Sequence, residues 1–318
     1  MSVPLPRSTS STLHRCAMAL SLTVCVSLGA QAAQFLSVEP LPGHGTLHYY
    51  SSLTPGTAAS RALIVLHGHP RDAQRTFEAG LATQSSPLVI SPLFQVPAAQ
   101  AAKCQSPGEP SAQPGDLLWS CGAWLAGAPA SNAPQVTAFK AMDALIAEVH
   151  RQWPQVDQIT LAGFSAGAQM VQHYIGFAAM APKGVTVRYV VADPGTWLYF
   201  SDQRPYPSAD CPALNQWKYG TAQLPDWLGR SAEQARAQYA AADIHYLLGE
   251  LDQGTGKGTA NRVLDRSCAA MAQGPYRLQR GQAYAQQDPN HPLTLVPGCA
   301  HDVRCVFPSA AARAAFSH

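Results

Sequence analysis

The sequence predicts an α/β fold: a mostly parallel central sheet flanked by helices, with an aromatic-rich insertion near 194–240. Three observations predict it. Short apolar runs alternate with segments of helical period, the pattern of strands and helices layered around one sheet. Those runs end at Gly, Pro, Asp or His turns, as strands buried on both faces do. The chain of 318 residues is 47% hydrophobic and only 13% charged, which favours one large core over a disordered, highly charged chain.

The elements follow in order. Residues 33–60 are rich in Gly, Ser and Thr and read as an entry strand or hairpin with loops, Thr46-Leu47-His48-Tyr49-Tyr50 being its alternating piece. Ala62–Leu66 is a continuous apolar strand that ends at His67-Gly68-His69-Pro70, and Leu88–Ile90 is a second. Residues 97–132, rich in Pro, Gly, Ala and Ser, read as a long loop. Pro134 to Trp153 reads as a helix, because Val136, Phe139, Met142, Leu145, Ile146 and Val149 recur at three- and four-residue steps. Pro154 stops it. Further strands are expected at Ile159–Ala162, Val185–Ala192, Ile244–Leu248 and Leu293–Val296, with a helix over Ala168 to Met180. The 194–240 segment carries Trp197, Tyr199, Phe200, Tyr206, Trp217, Tyr219, Trp227 and Tyr239 without a clear period. It reads either as a cap over a cleft or as a small core of its own.

Residues 1–32 read as a secretory signal peptide. Arg7, His14 and Arg15 precede the uncharged apolar run Cys16–Leu28, and Ala30-Gln31-Ala32 gives a small-x-small cleavage site. The run is too short for a membrane span of ~20 residues. The expected location is therefore secreted or periplasmic, with 33–318 as a single domain and no stable membrane span after cleavage. Removing 1–32 takes away Arg7 and Arg15 and brings a net charge of +2 to balance. That gives no electrostatic reason to expect a nucleic-acid partner. Cys16 and Cys25 leave with the signal. Cys104, Cys121, Cys211, Cys268, Cys299 and Cys305 remain, and an exported chain is expected to pair them. Proximity alone favours Cys104–Cys121 and Cys299–Cys305, leaving Cys211–Cys268. No CxxC pair or spaced His pair points to zinc, and no metal is expected.

The chemistry centres on Gly163-Phe164-Ser165-Ala166-Gly167. Alone, G-x-S-x-G is a weak signal. Here it lies between an apolar strand and an apolar helix, the context a nucleophile elbow requires. A serine hydroxyl needs a base, and His301 follows the last strand. The base needs a carboxylate to orient it, and Asp252 follows the strand before. The loops at the carboxyl ends of parallel strands converge on one edge of a sheet.

On these residues the chain resembles the α/β-hydrolase superfamily over roughly residues 45–318. The resemblance rests on the Ser165 elbow, the Leu248-Gly249-Glu250-Leu251-Asp252 turn, the Pro297-Gly298-Cys299-Ala300-His301-Asp302 loop and the order Ser, Asp, His. It implies Ser165 as nucleophile, His301 as base, Asp252 as orienting acid and an oxyanion hole built from two backbone N–H groups. One would come from Ala166 and the other from His69 or Gly68, since Pro70 has none to give. Glu250 and Asp193 are the alternative acids, and His291 and His318 the poorer alternative bases. His67 reads as a structural hydrogen-bonding residue, and Asp302 as a holder of the His301 loop.

The resulting expectation is an exported serine hydrolase with no cofactor, cleaving carboxylic esters through an acyl-enzyme. Its partner is a small-molecule or polymeric ester. A peptidase or amidase and a polymer-ester depolymerase stand as alternatives on the same triad. A catalytically silent fold used for binding is the reading from another class.

Overall fold

The computed structural model describes residues 1–2, 33–208 and 210–317. The segment read from sequence as a signal peptide, 1–32, lies outside the described residues from position 3 onward. Everything below concerns the unit Ala32–His318.

Eight strands form one sheet: β1 (Gln34–Val38), β2 (Leu47–Ser51), β3 (Arg61–Leu66), β4 (Leu88–Leu93), β5 (Gln158–Phe164), β6 (Thr186–Ala192), β7 (Asp243–Gly249) and β8 (Leu293–Val296). Their spatial order is β1-β2-β4-β3-β5-β6-β7-β8. β2 runs antiparallel to both β1 and β4, and every other neighbouring pair is parallel.

The apolar runs are explained by two-sided burial. In β3, Ala62, Ile64 and Leu66 face one hydrophobic cluster, and Leu63 and Val65 face the other. Fully burying each such Leu, Ile or Val contributes about 1.5–3 kcal/mol, so β3 cannot shift register without exposing several of them. Helices cover both faces. On the first lies α2 (Ala138–Gln152), through Phe139, Met142, Leu145, Ile146 and Val149. On the second lies α1 (Ala73–Ala82), where Phe77 and Ala79 share a cluster with Val303, Val306 and Phe307.

Three sequence expectations are adjusted. The helix expected from Pro134 starts at Ala138, because Ala133–Thr137 pairs as a ribbon strand with Pro129–Ala130. Thr137 caps it, its hydroxyl accepting the Lys140 N–H at 3.0 Å. The helix after the elbow, α3 (Ala166–Ile175), begins two residues earlier than expected and ends at Gly176 rather than running to Met180. The 97–132 loop contains a short helix, Ala98–Cys104, tied by a disulfide from Cys104 to Cys121. Cys211–Cys268 and Cys299–Cys305 are the other two bridges, the pairing that proximity favours.

The segment between β6 and β7 turns its aromatic rings inward. Trp197 is fully buried and stacks on Tyr284 at 4.4 Å between ring centres. Trp217 packs edge-on against Phe139, Phe177 and Trp227. The segment also holds one regular helix, α4 (Ala232–Ala240), closed by a Ser231/Gln234 capping box. Two further helices matter for the site: α5 (Arg277–Gln287) and α6 (Val303–Val306). No helix among the described residues is long and apolar enough to cross a membrane.

Candidate active site

The parallel strands end on one edge of the sheet, and all the chemistry predicted from sequence gathers there. Ser165 sits between β5 and α3 with φ 58° and ψ −117°, a backbone conformation rare and strained for a residue with a side chain. Its surroundings hold it there. An ideal Cβ on Gly163 would lie 2.2 Å from Gly167 O, and one on Gly167 would lie 2.4 Å from Leu66 O. Only glycine at both positions lets β3, β5 and α3 approach this closely. The Ser165 N–H donates to Ala192 O at 3.0 Å. Ser165 occupies the N-cap position of α3 without making a side-chain cap bond. Its hydroxyl is spent elsewhere: Oγ lies 2.8 Å from His301 Nε2.

His301 Nδ1 lies 2.7 Å from Asp252 Oδ2. The tautomer follows from the partners. An ionised carboxylate only accepts, so Nδ1 carries the proton and Nε2 accepts from the serine. Both loops are fixed by backbone bonds. The N–H groups of Glu250 and Leu251 donate to Val296 O and Cys299 O at 3.1 and 2.8 Å, and His301 N–H donates to Gly258 O at 3.0 Å. The Cys299–Cys305 bridge closes the His301 loop. Asp302 caps α6 by accepting the Arg304 N–H at 2.9 Å, and it pairs with Arg75 at 2.7 Å.

Burial and the Arg277 guanidinium push the His301 pKa below its ordinary 6.5, against the opposing pull of Asp252. The ring is therefore neutral at neutral pH and able to accept a proton.

Two backbone donors face the same cleft. Ala166 and His69 line a cavity of about 210 Å³ together with Ser165. Gly68 N–H is already committed, donating to Asp72 Oδ1 at 2.9 Å. Neither His69 N–H nor Ala166 N–H has a partner among the described residues. His67 is fully buried: its Nδ1 donates to Gly68 O at 2.8 Å and its Nε2 accepts the Phe94 N–H at 3.2 Å. It holds the loop in shape and does not face the cleft.

The alternatives are placed elsewhere. Glu250 is exposed. His291 is engaged by Asp288 at 2.7 Å and by Ala242 O, and His318 lies outside the described residues. Asp193 is closer. It is fully buried at the end of β6, and its carboxylate, that of Asp252 and the His301 ring offer atoms within 4.8 Å of one another. Asp193 Oδ1 accepts the Gly249 N–H at 2.9 Å, and Oδ2 has no partner among the described residues. Burial, and then the neighbouring Asp252, push its pKa well up, which favours its protonated form. It makes no hydrogen bond to His301.

No protein-family model matches the sequence, and no curated protein matches it. Solved structures do. Poly(aspartic acid) hydrolase-1 from Sphingomonas sp. KT-1 superposes with a TM-score of 0.61 at 20% identity, covering 89% of this chain and 97% of that one. A poly(3-hydroxybutyrate) depolymerase from Bordetella parapertussis superposes with a TM-score of 0.58 at 18% identity, covering 87% and 88%. The protein has the α/β-hydrolase fold.

Within this hydrolase fold several residues lie beyond what the sequence pattern indicates. Arg277, at the start of α5, is buried beside Asp252, with Nη1 3.5 Å from Oδ1. Arg71 is a fully buried guanidinium surrounded by main-chain oxygens, including Phe94 O at 2.9 Å and Ser120 O at 2.9 Å. It ties the disulfide loop 104–121 to the His69 loop, whose His69 O lies 3.4 Å away. Gln169 and Lys218 also line the cleft. No motif marks any of them. Their partners are distant in sequence or belong to the backbone, where side-chain identity leaves no trace.

Proposed function

We propose that this protein is an exported serine hydrolase that cleaves carboxylic esters through an acyl-enzyme. One observation carries the proposal: the linear chain Ser165 Oγ–His301–Asp252, with contacts of 2.8 and 2.7 Å, at the carboxyl edge of the sheet. The steps follow from the geometry. Ser165 Oγ attacks the ester carbonyl as His301 Nε2 takes its proton. Asp252 holds the ring in the required tautomer and stabilises the imidazolium. The oxyanion takes the free N–H groups of Ala166 and His69, and the former sits at the N-terminus of α3, where the helix dipole favours negative charge. His301 then gives its proton to the leaving alkoxide. Water, activated by the same nitrogen, clears the acyl group.

Export is part of this reading. Residues 1–32 serve as a removed signal, 33–318 fold as one domain, and three disulfides suit an oxidising compartment. A second reading, hydrolysis of a polymeric ester, is favoured by the name of one fold neighbour, a poly(3-hydroxybutyrate) depolymerase; the other is named for poly(aspartic acid), an amide-linked polymer, and favours amide hydrolysis on the same triad. The test is a chromogenic short-chain ester assay on wild type and Ser165→Ala. Wild type turns over, and the variant loses about 10⁴-fold or more in kcat. Equal rates would refute the nucleophile. Release of hydroxy-acid from a polyester film, compared with soluble esters, separates the two substrate classes.

A further inference from the structure

The cleft beside Ser165 is richer in hydrogen-bond donors than the reaction uses. Gln169 lies one turn along α3 from Ser165, and its N–H donates to Ser165 O at 3.0 Å. Its side chain lines the cleft and is only 4% exposed, yet Nε2 has no partner among the described residues. A buried amide donor left unmade costs about 1–3 kcal/mol, so this group calls for an acceptor.

Lys218 lines the same cleft, and its side chain is 25% exposed. An ammonium carries three donors. Its one ion-pair partner, Asp265 Oδ2, lies 3.5 Å away, and that carboxylate also takes the Tyr219 hydroxyl at 2.6 Å and the Ser267 N–H at 2.9 Å. The ammonium also lies 5.3 Å from the Tyr219 ring centre, and among the described residues Asp265 is its one ion-pair partner, so donor capacity remains at the cleft wall. The other cleft cation, Arg277, gives Nη1 to Asp252 and to Thr259 O at 2.7 Å, and its Nε is buried without a partner among the described residues.

Gln169 and Lys218 also flank one ring, which when neutral donates to only one of their two carbonyls. The fully buried His173 ring lies between their backbones, Nδ1 2.5 Å from Gln169 O and Nε2 2.7 Å from Lys218 O. One polar residue on α3 and one in the segment after β6 thus line the same cavity as the nucleophile. Leu125 and Leu264 supply apolar wall beside them.

We propose that Gln169 Nε2 and Lys218 Nζ form a subsite that binds the carboxylate of an ester substrate. This proposal rests on the serine-hydrolase reading and names its substrate class: an ester that carries a second, free carboxylate. The amide takes one oxygen, the ammonium the other, and the Leu125 side covers the connecting methylenes.

The test uses matched pairs of esters that differ in one carboxylate. Monomethyl succinate against methyl butyrate places it on the acyl side. The acetyl ester of beta-hydroxypropionate against propyl acetate places it on the alcohol side. Fluorophosphonate labelling of Ser165 is run first on wild type, Lys218→Met, Gln169→Leu and Lys218→Arg, because it reads the nucleophile without regard to substrate preference. In labelled wild type, kcat/KM favours the carboxylated member of one pair. Lys218→Met and Gln169→Leu each lower that carboxylated-to-neutral ratio by about ten-fold, and Lys218→Arg keeps most of it. A labelled wild type with no preference in either pair overturns the subsite. So does an equal fall in both members of a pair, which is what a purely structural role would give. A wild type that takes no label overturns the hydrolase reading beneath it.

Discussion

The Arg277 guanidinium and the Asp252 carboxylate form a buried pair, with Nη1 3.5 Å from Oδ1. The carboxylate thus faces a cation on one oxygen and His301 on the other. Arg277 also disfavours the charged form of His301. The sign follows. Activity needs the neutral ring, so kcat/KM falls as pH drops through the His301 pKa, and that limb lies below the ordinary 6.5. Arg277→Met removes a cation that opposes the imidazolium. The acid limb then moves to higher pH, with a several-fold loss of kcat from the less supported Asp252. A pH profile of kcat/KM checks this, and an unmoved limb would show that Arg277 acts only on packing.

Asp193 and Asp252 separate cleanly by substitution. Asp252→Asn presents the wrong group to His301 Nδ1 and is expected to cost about 10⁴-fold in kcat. Asp193 bonds the Gly249 N–H while His301 bonds Asp252, so Asp193→Asn is expected to keep kcat/KM within about three-fold. Because the folded pKa of Asp193 is raised, its contribution to stability is present at low pH and lost as pH rises above 3.8. The variant is therefore stabilised relative to wild type as pH rises. A large kinetic loss in Asp193→Asn would move the acid role to that residue.

Gly167→Ala tests the elbow. Its methyl would meet backbone oxygens of Leu66 and His67 at 2.4 and 2.5 Å, which cannot rotate away. The expected cost is about 1–3 kcal/mol or more of stability, with a larger proportional loss of activity, because the clash pushes Ser165 from His301. A thermal melt beside an ester assay reads both. Full activity in this variant would contradict the packing described.

Two buried histidines make the fold acid-sensitive. Burial pushes His67 down to about 3 and His173 down to about 4. Both lie below the unfolded value of 6.5, so the unfolded chain takes these protons first. The stabilisation is complete above 6.5 and is lost as pH falls toward 4, at about 1.4 kcal/mol per pH unit for each ring. Asp193, whose pKa is raised, acts in the opposite sense as pH rises above 3.8. Melting temperature is expected to fall between pH 6.5 and 4.5, and less steeply in His173→Gln. An equally steep fall in the variant would exclude His173 as a source.

Much of this was legible in the sequence for identifiable reasons. β3 and β5 are buried on both faces and therefore read as unbroken apolar runs. Ser165 lies in a turn so crowded that two glycines are required, and these glycines are the motif. Asp252 and His301 follow strands, so their order along the chain carries their position on the edge. The choice between Gly68 and His69 was not legible, because it depends on where the Asp72 side chain points. The start of α2 was misplaced because Val136 fits the helical period while belonging to a ribbon strand. The aromatic residues of 194–240 carried no period because they pack against α3, α5 and β7 rather than along one element of their own. Gln169, Lys218 and Arg277 gave no signal, since their meaning lies in neighbours remote in sequence.

The central claim is that Ser165 is an activated nucleophile in a charge-oriented chain with His301 and Asp252. Fluorophosphonate labelling of the folded protein, followed by peptide mapping, tests it most directly. A single covalent adduct on Ser165 is expected, absent in Ser165→Ala and formed far more slowly in His301→Ala. An adduct on another residue, or unchanged labelling of Ser165 when His301 is removed, would contradict it.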